Sequence, residues 1–304
     1  MTDVTPPSMD ALAAQRWLDR VPAQVPPTSP WLHEEVARRM MERLDLITPQ
    51  PAQWAHWQPL RGGWQAHQAL RERYPRAPVW LVPGSAAEER VLAQSVQKPW
   101  WQRWHSLDQH VGIPAAGGVQ MVWANMALHH QPRPQEVLGH WHKALAVDGF
   151  LMFSCLGPDT LRELRQIHTA QGWPAPAHEF TDMHDWGDML VHAGFAEPVM
   201  DMERITLTFE TPQRLSQELR ELGRNLAVTR APGLRGRGWH AQWQQALMAL
   251  ARPAQGGQLA LSFEIIYGHA FKPLARPKVS AETGIDLFEM RQMLRESAKD
   301  RPLS

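Results

Sequence analysis

The sequence has one cysteine, two tyrosines, no surplus of charge of either sign and no apolar run that approaches the length of a membrane span. A lone thiol, Cys155, closes no intrachain disulfide, which excludes a stapled secreted scaffold. Lys and Arg total 31, as do Asp and Glu, and the formal charge of +0 supplies no global field toward nucleic acid or anionic lipid. The longest strongly apolar stretch, Gly149 to Leu156, suits one buried strand, whereas a bilayer crossing takes about 20 residues. The start Met-Thr-Asp-Val lacks the basic and apolar regions of a secretion signal. The expectation is a soluble cytoplasmic protein in which Cys155, straight after an apolar strand, is reduced and buried.

Several chemical signatures are absent too. There is no Gly-x-x-x-x-Gly-Lys-Ser/Thr, no Gly-x-Gly-x-x-Gly and no Gly-x-Ser-x-Gly, so a P-loop, a dinucleotide fingerprint and a nucleophile elbow are all excluded. His129, His130, His140 and His142 are spaced so that pairs share a face. No His-Glu-x-x-His or paired-cysteine spacing supplies further ligands, and no metal is expected.

What the chain does have is 15 tryptophans and 26 prolines. Tryptophan fills cores and covers edges more often than it forms a binding surface. Six prolines in residues 1–30 leave room for no more than a short helix around Ala11 to Arg20, so this stretch reads as a wrapping arm. Leu32, Val36, Met40 and Leu44 then recur at helical spacing between charges, which marks an amphipathic helix from Trp31 to Leu46.

Beyond it, apolar runs at Gln53 to Trp57, Pro78 to Val82, Val119 to Ala124 and Phe150 to Ser154 alternate with helical stretches near Gln65 to Arg73, Ala86 to Gln97 and Pro134 to Leu145. This is the βαβα rhythm of a parallel sheet covered on both faces. Ser85 with Glu88, and Thr160 with Glu163, have capping-box spacing. Pro83-Gly84-Ser85, at a strand end, is the nearest thing to an anion-cradling helix start. The second half reads as a helix from Trp186 closed by Gly194, a strand from Pro198 to Phe209, helices from Thr211 to about Asn225 and from His240 to Ala251, and a strand from Gln258 to Phe271. A tail, residues 274–304, carries one expected helix, Glu282 to Ser297. No internal repeat is present.

The stretch Val119-Gln-Met-Val-Trp-Ala-Asn-Met-Ala-Leu-His-His130, with Gly149 to Ser154 and Gly157-Pro158-Asp159-Thr160-Leu161-Arg162-Glu163-Leu164, resembles class I S-adenosylmethionine-dependent methyltransferases. Phe180-Thr181-Asp182-Met183-His184-Asp185, Ala193-Gly194-Phe195 and Glu264 to Pro273 resemble more specifically the malonyl-acyl-carrier-protein O-methyltransferases of early biotin synthesis. The resemblance spans residues 31–273. It implies an α/β fold: a doubly wound, seven-stranded, mostly parallel sheet with S-adenosylmethionine across the carboxyl ends of the first strands. It also implies a helical lid from Thr211 to Ala251 over an acyl substrate, and methyl transfer from the sulfonium to a malonyl carboxylate by positioning.

Three positions depart from the family pattern. Where the family has an acidic residue followed by a Gly-x-Gly-x-Gly loop, this chain reads Trp54-Ala55-His56-Trp57-Gln58-Pro59-Leu60-Arg61-Gly62-Gly63, with His56 for the acid and Gln58 and Leu60 for glycines. The acid expected after the second strand falls at Pro83, and the arm's tyrosine at about Val25. Cofactor-side candidates that remain are Gly62, Asp108, Ile113 and Asn125. Their bland alternatives are a turn for Gly62, a solvated charge for Asp108 and a helix cap for Asn125. Tyr267 and His269, two apart on the last strand, share a face and either line an acyl pocket or pack under the lid. Two functions stay open: a methyltransferase with weakened S-adenosylmethionine binding, and a non-catalytic relative that binds a partner or an acyl-carrier protein.

Overall fold

The computed structural model describes residues 7–20, 29–96, 108–233, 235–252 and 256–274. Seven strands form one sheet in the order β3-β2-β1-β4-β5-β7-β6. They are β1 (Trp54–Trp57), β2 (Val79–Val82), β3 (Gln109–Val111), β4 (Val119–Ala124), β5 (Leu145–Leu156), β6 (Ala196–Phe209) and β7 (Leu259–Phe271). The first five are parallel, and β7 runs antiparallel to both β5 and β6. Strand order reverses between β1 and β4, so the ligand crevice of an open α/β sheet falls outside the carboxyl ends of β1, β2 and β4.

Alternate strand residues feed two cores. Trp54, Leu81, Met121, Trp123, Met152 and Phe263 face one side, and Ala55, Val82, Val122, Ala124, Phe153 and Cys155 face the other. Four tryptophans, Trp54, Trp123, Trp141 and Trp186, are among the largest fully buried side chains. Cys155 is buried, as its position after an apolar run implies. Contacts divide the chain into Met1–Pro273 and Leu274–Ser304. The expected helix Glu282 to Ser297, and Val25 of the arm, lie outside the described residues.

The helices are α1 (Ala11–Leu18), α2 (Trp31–Leu44), α3 (Pro59–Gly62), α4 (Trp64–Arg73), α5 (Ala86–Val96), α6 (Pro134–Ala144), α7 (Arg162–Ala170), α8 (Met183–His192), α9 (Pro212–Leu222) and α10 (Arg237–Leu247). Gly194, at φ 96°, closes α8 as expected, with Phe195 N–H donating to the Leu190 carbonyl at 3.1 Å. No described helix is long and apolar enough to cross a membrane.

Three local expectations need correction. β3 was invisible because three residues, half-buried or exposed, carry no apolar run. Thr160 and Glu163 form no capping box: α7 starts at Arg162, the Thr160 hydroxyl bonds the Glu264 backbone, and the Glu163 carboxylate accepts from Ser262 N at 3.1 Å and Oγ at 2.7 Å. Both side chains tie the loop to β7. At α5, Ser85 Oγ accepts from Glu88 N at 3.3 Å, but the Glu88 carboxylate accepts from Gly84 N, one residue before Ser85, and from Leu60 N of α3 instead of from Ser85 N.

Candidate active-site cleft

The crevice is built from the segment after β1. Gln58 takes a left-handed conformation, φ 52°, and its backbone N–H donates to the Val82 carbonyl at 2.8 Å. That turn starts α3, which carries Leu60, Arg61 and Gly62 across the ends of β1 and β2. Gly62 is held by close approach, because a Cβ there would lie 2.9 Å from the Asn125 carbonyl oxygen. Asn125 fixes the same turn from β4. Its amide donates to the His33 carbonyl at 2.8 Å and to the Gly62 carbonyl, while its Oδ1 accepts from Ser154 Oγ at 2.6 Å. Asn125 therefore caps no helix: the next one, α6, begins at Pro134.

Glu88 is the polar centre of this turn, and the spacing argument had given it only a capping role. Its carboxylate accepts from Gly84 N at 2.7 Å and Leu60 N at 3.3 Å. The side chain of Gln58 lies on Gly84, where a Cβ would come within 2.8 Å of it. Leu60 is fully buried, and Pro83 presents no polar side chain between them. Burial pushes the Glu88 carboxyl up, against the pull of the two amides and of Arg61. The crevice between the β1 and β2 turns is thus packed with the chain's own groups.

The arm closes over the same turn. The Arg61 guanidinium donates to the carbonyls of Trp17 at 2.7 Å and Arg20 at 2.6 Å and lies 4.3 Å from the centre of the Trp17 ring. Ser85 Oγ donates to the Leu18 carbonyl at 3.1 Å, and Ser29 Oγ to the Leu60 carbonyl at 2.9 Å. Between arm, turn and α9 remains a cavity of about 450 Å³, with Trp17, Arg20, His33, Arg61, His130 and Arg224 in its wall. Four histidines, His33, His129, His130 and His178, pack ring against ring in T-shaped and tilted pairs beside it, and burial lowers all of them, His33 to about 4. Another pair lies behind the turn, where His56 Nδ1 and His67 Nδ1 are 3.3 Å apart and both rings are buried.

Of the other expected residues, Ile113 follows the carboxyl end of β3, at the crevice end of the sheet, and the rest lie elsewhere. Asp108 is exposed, and its backbone carbonyl bonds Val79 N at the amino end of β2, the opposite end of the sheet from the crevice. Ile113 is 66% exposed after β3. Tyr267 and His269 do share a cavity, of about 370 Å³, but its walls come from the end of α2 and from β5, β6 and β7, with no residue of 211–251. In register, Tyr267 pairs with Ser154 and His269 with Met152, two and four residues before the carboxyl end of β5. Tyr267 donates to Glu203 Oε1 at 2.5 Å, and the Arg43 guanidinium lies 3.8 Å over its ring.

The strand order and crevice are those of the class I S-adenosylmethionine-dependent methyltransferases. A Bacillus halodurans protein described as a methyltransferase superposes with a TM-score of 0.51 at 15% identity, over 79% of this chain and all of that one. YcgJ of Bacillus subtilis gives 0.50 at 11% identity, over 78% and 99% of the two chains. Sequence relatives narrow the class. The malonyl-[acyl-carrier protein] O-methyltransferase of Laribacter hongkongensis is 40% identical over 229 residues, 72% of this chain and 76% of that protein. The protein of the same name from Gallionella capsiferriformans is 37% identical over 223 residues, 70% and 75% of the two. The chain belongs to the malonyl-[acyl-carrier protein] O-methyltransferase family. No family model matches it.

Proposed function

We propose that this chain is a family member that binds S-adenosylmethionine weakly or not at all, and that it acts by holding an acyl substrate or an acyl-carrier protein. The observation that carries this reading is Glu88, whose carboxylate takes the Leu60 amide, in the segment that stands where the family has its glycine loop, together with the Gly84 amide after β2. Two further features support it. Pro83 offers no acceptor for ribose hydroxyls, and Gln58 and buried Leu60 fill space that glycines leave open. The residues of this crevice do not fit S-adenosylmethionine in the place the family assigns to it.

The magnitude is large enough to change function. Losing charge-assisted hydrogen bonds to the ribose costs about 1.5 to 3 kcal/mol. Side-chain bulk in place of glycine costs about 1 to 3 kcal/mol more. At 1.4 kcal/mol per decade, the two together weaken binding by about two to four decades. The acyl-carrier half of the reading is supported by the names of the relatives, which act on malonyl-[acyl-carrier protein]. The test is calorimetric titration with S-adenosylmethionine and S-adenosylhomocysteine, with a methyl-transfer assay on malonyl-carrier protein. No heat below about millimolar concentration and no transfer are expected. A dissociation constant at or below about ten micromolar, or methyl ester formation, overturns the reading.

A further inference from the structure

Residues 223–230 join the arm to the body of the fold, and a buried imidazole anchors them. His178, 2% exposed, lies between α7 and α8 with both ring nitrogens in use. Its Nδ1 accepts from Leu226 N at 3.3 Å, which places the ring proton on Nε2, and Nε2 donates to the His129 carbonyl at 2.8 Å. Leu226 in turn holds the arm. Its carbonyl accepts from Asp10 N at 2.9 Å, and its side chain packs with Ala14 and Trp17 of α1 in a small core separate from the two main ones. An antiparallel bridge between Met9 and Ala227 and an ion pair of 2.7 Å between Asp10 and Arg230 complete the contact. A further anchor of the segment, Asn225 Nδ2 on the Ala175 carbonyl, is exposed.

This arrangement admits the neutral ring only. A second proton on Nδ1 replaces an acceptor with a donor that faces the Leu226 N–H, so the imidazolium and that bond exclude each other. The charged and titratable neighbours are mostly cationic or already paired. The loop after β4 brings His129 and His130, α2 brings His33 behind His129, α7 brings Arg165, and the end of α9 brings Arg224. Glu179, next in sequence, acts on Arg165, Glu221 of α9 bonds Gln217, and Asp10 across Leu226 is paired with Arg230. Burial lowers His178, His129 and His130 alike. His130 sits under the same cover: its ring lies 5.9 Å from that of Trp17, Arg61 acts on it from the β1 turn, and α9 ends so close to it that a Cβ on Gly223 would lie 2.6 Å from His130 Nε2.

We propose that His178 is an acid-operated latch: a proton taken from solvent by Nδ1 releases Leu226, and residues 223–230 leave the body together with the amino end of α1, which opens the cavity between arm and α9 while the sheet stays folded. The direction follows from linkage. In the open state His178 and His130 are hydrated and return toward 6.5, whereas in the closed state burial holds them lower, so the open state binds more protons and gains population as pH falls. Between those two values each histidine multiplies the open-to-closed ratio by about tenfold per pH unit. The device is local, because His56 and His67, packed against Trp54 and Trp64, keep their surroundings when the arm lifts. It does not depend on which ligand the cavity takes.

The test is hydrogen–deuterium exchange of the full chain at pH 7.5, 6.5 and 5.5, corrected for the intrinsic pH dependence of exchange, with and without about 1 M urea. Urea accelerates exchange that needs global unfolding and leaves exchange by local opening nearly unchanged. Protection of peptides covering 9–18 and 223–230 is expected to fall together by at least about tenfold from pH 7.5 to 5.5 with little urea dependence, while β4 and β5 exchange more slowly and respond to urea. His178→Asn places an amide oxygen where Nδ1 accepts from Leu226 and does not titrate, so it is expected to remove one histidine's share, about tenfold, from the pH response. Arg230→Gln weakens the same contact without touching a histidine and is expected to lower protection of both peptides together at pH 7.5. The proposal is overturned if the two peptides keep level protection across the pH range, if urea accelerates them as it does β4 and β5, if Arg230→Gln loosens one and not the other, or if His178→Asn with a native circular dichroism spectrum responds to pH as the parent does. Where that variant does not fold, the parent and Arg230→Gln decide.

Discussion

Acidification strikes the buried histidines that surround the crevice, and its cost follows from their environment. His33 and His67 are buried neutral, and loss of hydration lowers them from 6.5 to about 4 and about 3, respectively. In the unfolded chain both regain a value near 6.5, so between pH 6.5 and the folded values the unfolded state binds more protons. Stability therefore rises with pH across that window and is lost as pH falls. Moving from pH 7.5 to pH 5 costs about 2 kcal/mol for each of the two, about 4 kcal/mol together. That is a large part of a total near 5 to 15 kcal/mol. His56, His129 and His130 shift in the same direction for the same reason and add to the effect.

Two carboxylates behave differently from the histidines. Glu88, raised by burial, has the opposite sign, because its folded form holds a proton more readily and so favours acid. Glu35, held down to about 2 by Arg38, loses its contribution only below about 4.5, outside the range. The assay is urea unfolding at half-unit steps from pH 7.5 to 5.0, read by far-UV circular dichroism. The parent midpoint should fall steeply below pH 6.5, and His67→Phe should flatten the curve by about one histidine's share. A parent whose stability is level across this range, or a variant with an unchanged slope, refutes the burial argument.

Three further outcomes follow from the crevice and the core. Asn125→Ala strips partners from His33 O, Gly62 O and Ser154 Oγ, all in a buried setting, and should lower stability by about 2 to 4 kcal/mol in chemical unfolding. Arg61→Met removes the guanidinium bonds to the Trp17 and Arg20 carbonyls, so α1 should become an early site of proteolysis while the sheet stays protected from hydrogen exchange. The Cys155 thiol is pushed up by burial, and a thiol reagent should label it only at the rate of unfolding; rapid labelling of native protein contradicts that placement.

By itself the sequence determined the layered α/β fold, because apolar period and length distinguish buried strands from amphipathic helices. Gln53 to Trp57, Pro78 to Val82 and Val119 to Ala124 each correspond to an observed strand within one residue, and the two late strands were legible too, Pro198 to Phe209 from the alternation of Ile205, Leu207 and Phe209. The changed residues of the turn, His56, Gln58, Leu60 and Pro83, were legible as well, as departures from the pattern of the family the chain resembles. What filled the space around them was not. The Glu88 carboxylate reaches Leu60 N across 28 residues, and Arg61 reaches the Trp17 carbonyl across 44. A local pattern reports which face of an element is apolar, and it carries no information on which distant side chain that face meets. For the same reason Tyr267 and His269 were placed on one face of β7, while the chamber they line was left open. Parity along a strand fixes the face, but only the register against β5 fixes the height above or below the crevice.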